Sequence, residues 1–379
     1  MSRVVLLGAT GYTGGLAARA LLARGAAPLL VGRNAQRLKS LAEQLGGVDY
    51  EIADAGDGAS LRRLLGRGDV LATTAGPFSK LGAAQVDAAI SARAHYLDSC
   101  AEPAFFRSLQ TFDGAARAAG SAILTACAYD FFPGNAVADH VLQLAGPDAV
   151  RVDIGYFGDL VAGYRMSSGS QASGLATMLE PGLFWRNGEH VLEPVGLRYG
   201  QVALAGVQRP GLSMAGTEHL FLPPLYPKLR DVNAFWGWAG RGTRALQLVS
   251  HGVAQIAMRP WLKRRVGGVL SKLAKSDGSG PSDQQRLRSA SYVCATAFDR
   301  EGRELGSAEL GDADGFDFTA GILAWAADTI ARDGVDATGV TGPVQAFGRA
   351  RLLQGHAEVG FELRGPDASA QARPLELAV

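Results

Sequence analysis

Residues Arg3–Arg33 read RVVLLGATGYTGGLAARALLARGAAPLLVGR, and this stretch decides the fold. Val4-Val5-Leu6-Leu7 is an unbroken apolar run, as a strand buried on both faces requires. Gly8, Gly11 and Gly14 follow at the spacing G-x-x-G-x-x-G, and Leu16, Leu21 and Leu22 among alanines supply a helix. Pro28-Leu29-Leu30-Val31 is the next apolar run. A glycine turn that leaves a strand, opens a helix and is followed by a second strand is the signature of a dinucleotide site. The first glycine permits the tight turn, the second lets backbone approach a pyrophosphate, and the third lets helix and strand pack closely. N–H groups at the helix start then face the phosphates, with the helix dipole favouring negative charge. Thr10, Tyr12 and Thr13 join the three glycines as candidate cofactor-binding residues.

The second strand runs into Gly32-Arg33-Asn34, with Arg37 a turn later. A site that prefers NAD carries an acid about 20 residues on, bonded to the ribose 2′-hydroxyl. Arginine stands there instead. A guanidinium pairs with a 2′-phosphate through charge-assisted bonds worth roughly 1.5–3 kcal/mol, about ten- to a hundred-fold in affinity. Arg33, Asn34 and Arg37 therefore predict NADP(H) over NAD(H). The structural alternative for Arg33 is a solvated cation.

At 379 residues the chain suits two domains, and 47% hydrophobic with 19% charged residues excludes a disordered chain. A net charge of +1 provides no basic field for nucleic acid. Cys100, Cys127 and Cys294 are widely spaced, so neither a disulfide framework nor a metal site is expected. A reducing, cytoplasmic setting is expected, with no leader ahead of the first strand and no spanning helix.

Ala35 to Leu45 reads as a helix and Val48 to Ala53 as a third strand. Asp54 ends that strand, either beside the adenine or as cap of a Ser60–Leu65 helix. Asp69–Thr74 is a fourth strand that enters Ala75-Gly76-Pro77-Phe78, where small residues leave room for a ligand. A Leu81–Ala92 helix, a His95–Asp98 strand and a Ser121–Ala126 strand complete a doubly wound parallel sheet. Ligands bind beyond the carboxyl ends of such strands, which puts Ala75–Phe78, Asp98–Glu102 with Cys100, and Cys127–Asp130 on the cofactor edge.

The pattern changes at Tyr129. A turn over Asp130–Asn135, a helix over Ala136–Leu144, and an alternating strand over Arg151–Phe157 open a second, α+β domain. Further expectations are a helix near Ala172–Met178, strands over Arg198–Val207 and His219–Leu222, and a strand pair over Ser289–Asp299 and Leu305–Leu310. A helix over Phe318–Ala331, a last strand near Glu358–Leu363 and a disordered tail after Gly365 complete the list of elements. Ala234–Lys275 reads as a helical, basic and aromatic insertion. It is either an interfacial membrane element or lid, or a packed helix pair or subunit contact. The expected division is 1–128 with a C-terminal return of 340–379 for the α/β Rossmann-type domain, and 129–339 for the α+β substrate and dimerisation domain.

Several stretches carry a family resemblance: Gly8-Ala-Thr-Gly-Tyr-Thr-Gly14, Ala75-Gly-Pro-Phe78, His95-Tyr-Leu-Asp98 with Glu102, and Asp130 with Pro133-Gly134. Gly280-Pro-Ser-Asp-Gln-Gln-Arg286, and Thr341-Gly-Pro343 with Ala346-Phe-Gly348, add to it. On these residues the chain resembles the saccharopine dehydrogenase-like oxidoreductases, and among them the trans-acting enoyl reductases. The resemblance implies an N-terminal NAD(P) domain, a second αβ domain, a C-terminal segment returning to the first, and a homodimer. The chain departs from the family at Ser79-Lys80-Leu81 and Phe131-Phe132.

A nicotinamide enzyme leaves the protein to orient the cofactor and handle a proton. No tyrosine has a lysine four residues on, so the Tyr-x-x-x-Lys solution is excluded. Tyr129 and Asp130 are candidate proton donors, Lys80 a cation for an anionic substrate or enolate, and Tyr164 a contribution from the second domain. Each has a structural alternative: packing for Tyr129 and Tyr164, helix capping for Asp130, solvation for Lys80. The leading expectation is NADPH-dependent hydride transfer to the C=C of a small, fairly apolar enoyl-type substrate. The alternatives are reduction at C=N, which needs cations such as Arg165, Arg186 and Arg198 for several carboxylates, and a non-catalytic NADP-binding scaffold at a membrane.

Overall fold

Val4–Leu7 forms β1 with all four residues buried, and the chain then alternates strand and helix through a first sheet. The computed structural model describes residues 2–161, 163, 164, 166, 167, 169–171, 174, 177, 180–238, 240–257 and 280–365. After β1 come α1 (Tyr12–Ala23), β2 (Leu29–Gly32), α2 (Ala35–Gln44), β3 (Tyr50–Ile52), α3 (Gly58–Arg63) and β4 (Val70–Thr73). Next are α4 (Phe78–Ala92), β5 (His95–Asp98), α5 (Pro103–Leu109), α6 (Asp113–Ala119) and β6 (Ala122–Leu124). The strands lie in the order β3-β2-β1-β4-β5-β6, each pair parallel. This order reverses direction between β1 and β4, where a doubly wound sheet opens its ligand crevice. Val5, Leu6, Leu30, Val31, Leu71 and Ala72 have no exposed surface, so the apolar runs fill the sheet centre.

A second sheet follows. The chain runs through α7 (Phe132–Ala145), β7 (Arg151–Asp159), β8 (Pro181–Arg186), β9 (Glu189–Pro194), β10 (Tyr199–Leu204), β11 (Val207–Ser213) and α8 (Glu218–Phe221). Strands β8 and β9 pair with each other as a separate two-stranded sheet. The chain continues through β12 (Asp231–Trp236), α9 (Thr243–Ala257), α10 (Asp283–Arg286), β13 (Ala290–Phe298) and β14 (Glu304–Ala313). The order is β10-β11-β12-β7-β13-β14, antiparallel except for β12 beside β7. Helix α7 packs on β7, β13 and β14. Phe157, Val202, Leu204, Phe235 and Cys294 make up a buried cluster in this sheet.

The chain then continues through α11 (Gly315–Asp333), β15 (Gly339–Val340), α12 (Pro343–Phe347), α13 (Arg349–Glu358) and β16 (Glu362–Arg364). Strand β15 adds to the first sheet beside β6, and β16 to the second beside β14. One structural unit is Met1–Tyr129 with Phe316–Gly355, and the other is Asp130–Gly315 with His356–Val379. The C-terminal return therefore differs from the expected 340–379. It begins with α11, whose Asp328 pairs with Arg24 of α1 at 3.1 Å, and it gives up β16 to the other sheet.

Several second-unit expectations are corrected. His219–Leu222 is not a strand; Glu218–Phe221 is helical, because an apolar run this short does not by itself specify its period. Arg198–Val207 is a hairpin, not one strand: Ala205 and Gly206, at φ 52° and 73°, form the two-residue turn between β10 and β11. The β8–β9 hairpin was not foreseen, although Asn187-Gly188, at φ 52° and 84°, is its sequence signal. Ala234–Trp236 belongs to β12 rather than to a helical insertion; helix is seen over Thr243–Ala257, and 258–279 lie outside the described residues. Helix α7 starts four residues earlier than expected, with Pro133 in its first turn. Glu358 ends helix α13, so the last strand starts later, at Glu362. The helix expected near Ala172–Met178 falls largely, and the tail after Gly365 wholly, outside the described residues.

Leu6→Ala tests the first sheet, since Leu6 is fully buried in its central strand. A loss of about 2–5 kcal/mol is expected in urea unfolding followed by circular dichroism.

Candidate cofactor site

The site is built on the turn between β1 and α1. Gly8 has φ 85°, and the N–H groups of Gly8 and Ala9 both donate to the Val31 carbonyl, at 2.9 and 3.3 Å. A Cβ on Gly14 would lie 2.1 Å from the Gly8 carbonyl oxygen, so only glycine lets α1 start here. Gly11 is exposed and a Cβ there would meet only the Gly8 oxygen, at 3.2 Å. Gly11 is also the N-cap of α1, without a side-chain cap or an acid in the first turn. Among the described residues no side-chain cap or first-turn acid competes with an anionic ligand for the positive end of this twelve-residue helix. Thr10, Tyr12 and Thr13 are half-buried around the turn, and the Tyr12 ring stands edge-on to Phe316 with centroids 5.1 Å apart.

At the end of β2, Arg33 and Arg37 are exposed. Among the described residues neither guanidinium has a hydrogen bond or ion pair. Asn34 has a structural use: its side chain accepts the Arg37 N–H at 2.9 Å and caps α2. Asp54 does not cap α3. It accepts the Gly56 N–H at 2.8 Å, while Asp57 caps α3 by accepting from Ala59 and Ser60.

The loop after β4 lies across the crevice from Gly8. The Thr74 hydroxyl donates to the Gly8 carbonyl at 3.3 Å, and a Cβ on Gly8 would sit 2.8 Å from that hydroxyl. Ala75 is fixed from two sides: its N–H donates to the Thr73 hydroxyl at 3.1 Å, and Gln85 donates to its carbonyl at 3.1 Å. Gly76 and Pro77, joined by a cis bond, are exposed. Phe78 turns inward against Phe105, with centroids 5.8 Å apart. Lys80 is exposed in the first turn of α4.

Two carboxylates sit behind this edge, and both bond to turns and strand ends. Glu102 accepts the Phe78 and Ser79 N–H groups at 2.8 and 2.9 Å, so the N-terminus of α4 is closed by the protein itself. Sequence carries no local cue for a cap 24 residues away. Asp98 is fully buried, and one oxygen accepts from Cys100 N–H, the Thr125 hydroxyl and Ala126 N–H at 2.8–2.9 Å. Burial pushes its carboxyl up to about 6 against the pull of these donors. Cys100 is fully buried, its sulfur accepts the Glu102 N–H, and burial beside Asp98 and Glu102 holds the thiol well above its usual range.

The other proton-handling candidates have distinct surroundings. Tyr129 is buried, and its N–H donates to Thr319 at 2.9 Å. Tyr164 donates its hydroxyl to Asp314 at 2.6 Å. Asp130 does not cap α7, whose N-cap is Phe131 without a side-chain cap. Asp130 is half-buried, and desolvation raises its carboxyl to about 6. Among the described residues there is no cluster of three or more His, Cys, Asp or Glu that could hold a metal ion, and no helix long and apolar enough to cross a membrane.

Strand order, glycine turn and uncapped helix define a dinucleotide-binding Rossmann domain. Residues 4–124 match the family model of the saccharopine dehydrogenase NADP binding domain, which supports NADP(H) as the cofactor. The chain is 33% identical over 152 residues to a trans-acting enoyl reductase of Mycobacterium ulcerans, 38% of this chain and 36% of that protein. It is 35% identical over 139 residues to a putative trans-acting enoyl reductase of Mycobacterium tuberculosis, 35% of this chain and 33% of that protein. The match thus spans about a third of the length of these relatives. Apo saccharopine dehydrogenase (L-Glu forming) from Saccharomyces cerevisiae shares the fold, with a TM-score of 0.59 over 96% of this chain and 99% of that one at 12% identity.

Asp98 makes stability pH-dependent. Its folded carboxyl lies above the usual 3.8, so the folded state binds the proton more tightly and stability falls as pH rises from about 4 to about 6. Asp98→Asn is expected to flatten this slope by up to about 1.4 kcal/mol per pH unit, read from urea midpoints at pH 4, 5, 6 and 7.

Proposed function

We propose that the protein is an NADPH-dependent reductase that passes hydride to the C=C of an enoyl-type substrate. The observation that carries this reading is the glycine turn at the sheet's switch point, with α1 uncapped and two arginines at the end of β2 that have no ion pair among the described residues. The cofactor, when bound, supplies the hydride. The chain's part is to hold it. The α1 N-terminus and Gly11 take the pyrophosphate, Arg33 and Arg37 take the 2′-phosphate, and the fixed Ala75–Pro77 loop borders the crevice.

The remaining need is a proton. Asp130 is the donor in this reading, because its carboxyl is raised by burial and is not spent on capping. Tyr129 supports the backbone that carries it, and Tyr164 orients Asp314. Lys80 offers an exposed cation to an anionic substrate group. The names of the mycobacterial relatives support an enoyl substrate. Reduction at C=N has weaker support. Arg198 is paired with Glu193 and so is not spare for a substrate carboxylate, whereas Arg186 donates through one nitrogen to the Val232 carbonyl and Asn233 and is itself buried. Arg165 lies outside the described residues. A homodimer remains part of the proposal on the family resemblance.

Two measurements test it. Loss of NADPH absorbance at the nicotinamide band is expected with an enoyl thioester and not with a keto acid plus amine; the opposite outcome overturns the C=C assignment. Arg33→Ala is expected to weaken NADPH binding about ten- to a hundred-fold, with little effect on NADH. Equal losses for both cofactors would remove the 2′-phosphate role.

A further inference from the structure

The loop after β4 is anchored on both sides of a short exposed corner. Upstream, Ala75 is fixed by Thr73 and Gln85, and Thr74 is joined to Gly8. Downstream, Glu102 takes the Phe78 N–H on one oxygen and the Ser79 N–H on the other, at 2.8 and 2.9 Å. Between these anchors stand Gly76 and Pro77, both exposed. The N–H and carbonyl of Gly76 have no hydrogen-bond partner among the described residues.

Glu102 is itself firmly placed. It is buried, and as N-cap residue of α5 its carbonyl accepts the Phe105 N–H at 2.9 Å. Its own N–H donates to the Cys100 sulfur at 3.1 Å, and the Cys100 N–H donates to Asp98 at 2.9 Å. Asp98 in turn accepts from the Thr125 hydroxyl and the Ala126 N–H, just past β6. A second link runs beside the carboxylate. Phe105, in the first turn of α5, packs its ring on that of Phe78, and a Cβ on Gly82 of α4 would fall 2.3 Å from the Phe105 ring. The loops after β4, β5 and β6 are thus tied into one rim, and Glu102 is the tie that reaches the exposed corner.

We propose that Glu102 is a positioning residue for the nicotinamide half of the cofactor, acting through the Gly76–Pro77 corner. A doubly wound dinucleotide sheet consists of two mononucleotide halves that meet at the switch in strand order. In the NADPH reading the half built on β1–β3 takes the pyrophosphate at α1 and the 2′-phosphate at Arg33. The half built on β4–β6 is left for the nicotinamide and its ribose. Charge gives the same division. Two helices start at this edge on adjacent strands, α1 after β1 and α4 after β4. The start of α4 already holds a buried carboxylate, which repels a phosphate, whereas α1 has neither side-chain cap nor acid in its first turn. The phosphates go to α1, and the uncharged donor and acceptor of Gly76 meet ribose hydroxyls and the carboxamide. Only a carboxylate suits position 102 in this arrangement. Both of its oxygens accept, one from each of two successive N–H groups, while an amide would set a donor against one of them. Glu102→Gln therefore loosens the corner at nearly constant side-chain volume.

This role rests on the NADPH reading, and binding tests it without turnover. In calorimetric titrations of the full chain, Glu102→Gln should weaken NADPH about tenfold and leave adenosine 2′,5′-bisphosphate, the half without nicotinamide, within about twofold of wild type. A loss shared equally by both ligands, as general damage to the fold would give, overturns the role, and so does no loss in either. If Glu102→Gln does not fold by circular dichroism, Gly76→Ala carries the test, since its added Cβ would stand 3.3 Å from the Phe78 ring in the exposed corner. The same split between the two ligands is expected, and equal losses or none overturn the corner as the seat of the nicotinamide half. Hydrogen exchange of the unaltered chain gives an independent readout. NADPH should slow exchange over residues 74–81 and adenosine 2′,5′-bisphosphate should not; equal slowing by both overturns the assignment. If wild type binds neither ligand, the NADPH reading falls and takes the role with it. If wild type binds both and the split is missing, the NADPH reading stands and the role of Glu102 alone falls.

Discussion

The approach of Gly14 to the Gly8 carbonyl is the contact on which the N-terminal unit depends. A methyl group at residue 14 would overlap the backbone of the turn, so α1 could not begin where it does. Because it does, the positive end of α1 lies over the carboxyl end of β1. The strand order places β4 on the other side of β1 from β2. The turn and the Thr73–Pro77 loop therefore border one crevice, joined by the Thr74 hydroxyl on the Gly8 carbonyl. The residues that shape this crevice are also the ones that close the sheet.

A second theme is how each unit treats buried carboxylates. In the first, Glu102 meets two N–H donors at the start of α4, and Asp98 meets three donors at the ends of β5 and β6. In the second, Glu218 has a single phenol. Each donor offsets part of the cost of removing a charge from water. The carboxyl with three donors is raised to about 6 and the one with a single donor to about 8. The donors to Glu102 and Asp98 tie a helix start and two strand ends together.

The capped and uncapped helices follow the same logic. Asn34 caps α2, Asp57 caps α3 and Glu102 closes α4, whereas α1 has only Gly11. Among these four helices, α1 alone has no side chain on its first-turn N–H groups among the described residues. The arginines at the end of β2 add charge where α2 begins, beyond what that helix needs for its own stability.

From the sequence alone, the Rossmann half was legible almost element by element, because apolar runs, a glycine turn and helical periods repeat over short distances. The glycine turn was legible for the same reason: a tight turn and a close helix approach are local backbone properties. The second unit was less so. Its Asn187-Gly188 turn was a readable signal, but the central place of Ala234–Trp236 depends on β7, some eighty residues earlier in the sheet register. Only the tertiary structure decided that Glu102 caps α4, that Asp98 joins two strand ends, and that Glu218 meets Tyr156 between two glycines. These are contacts across 24, 28 and 62 residues. A sequence fixes which side chains can carry a charge; whether that charge is kept depends on which donors the folded chain brings to it and how much water it removes.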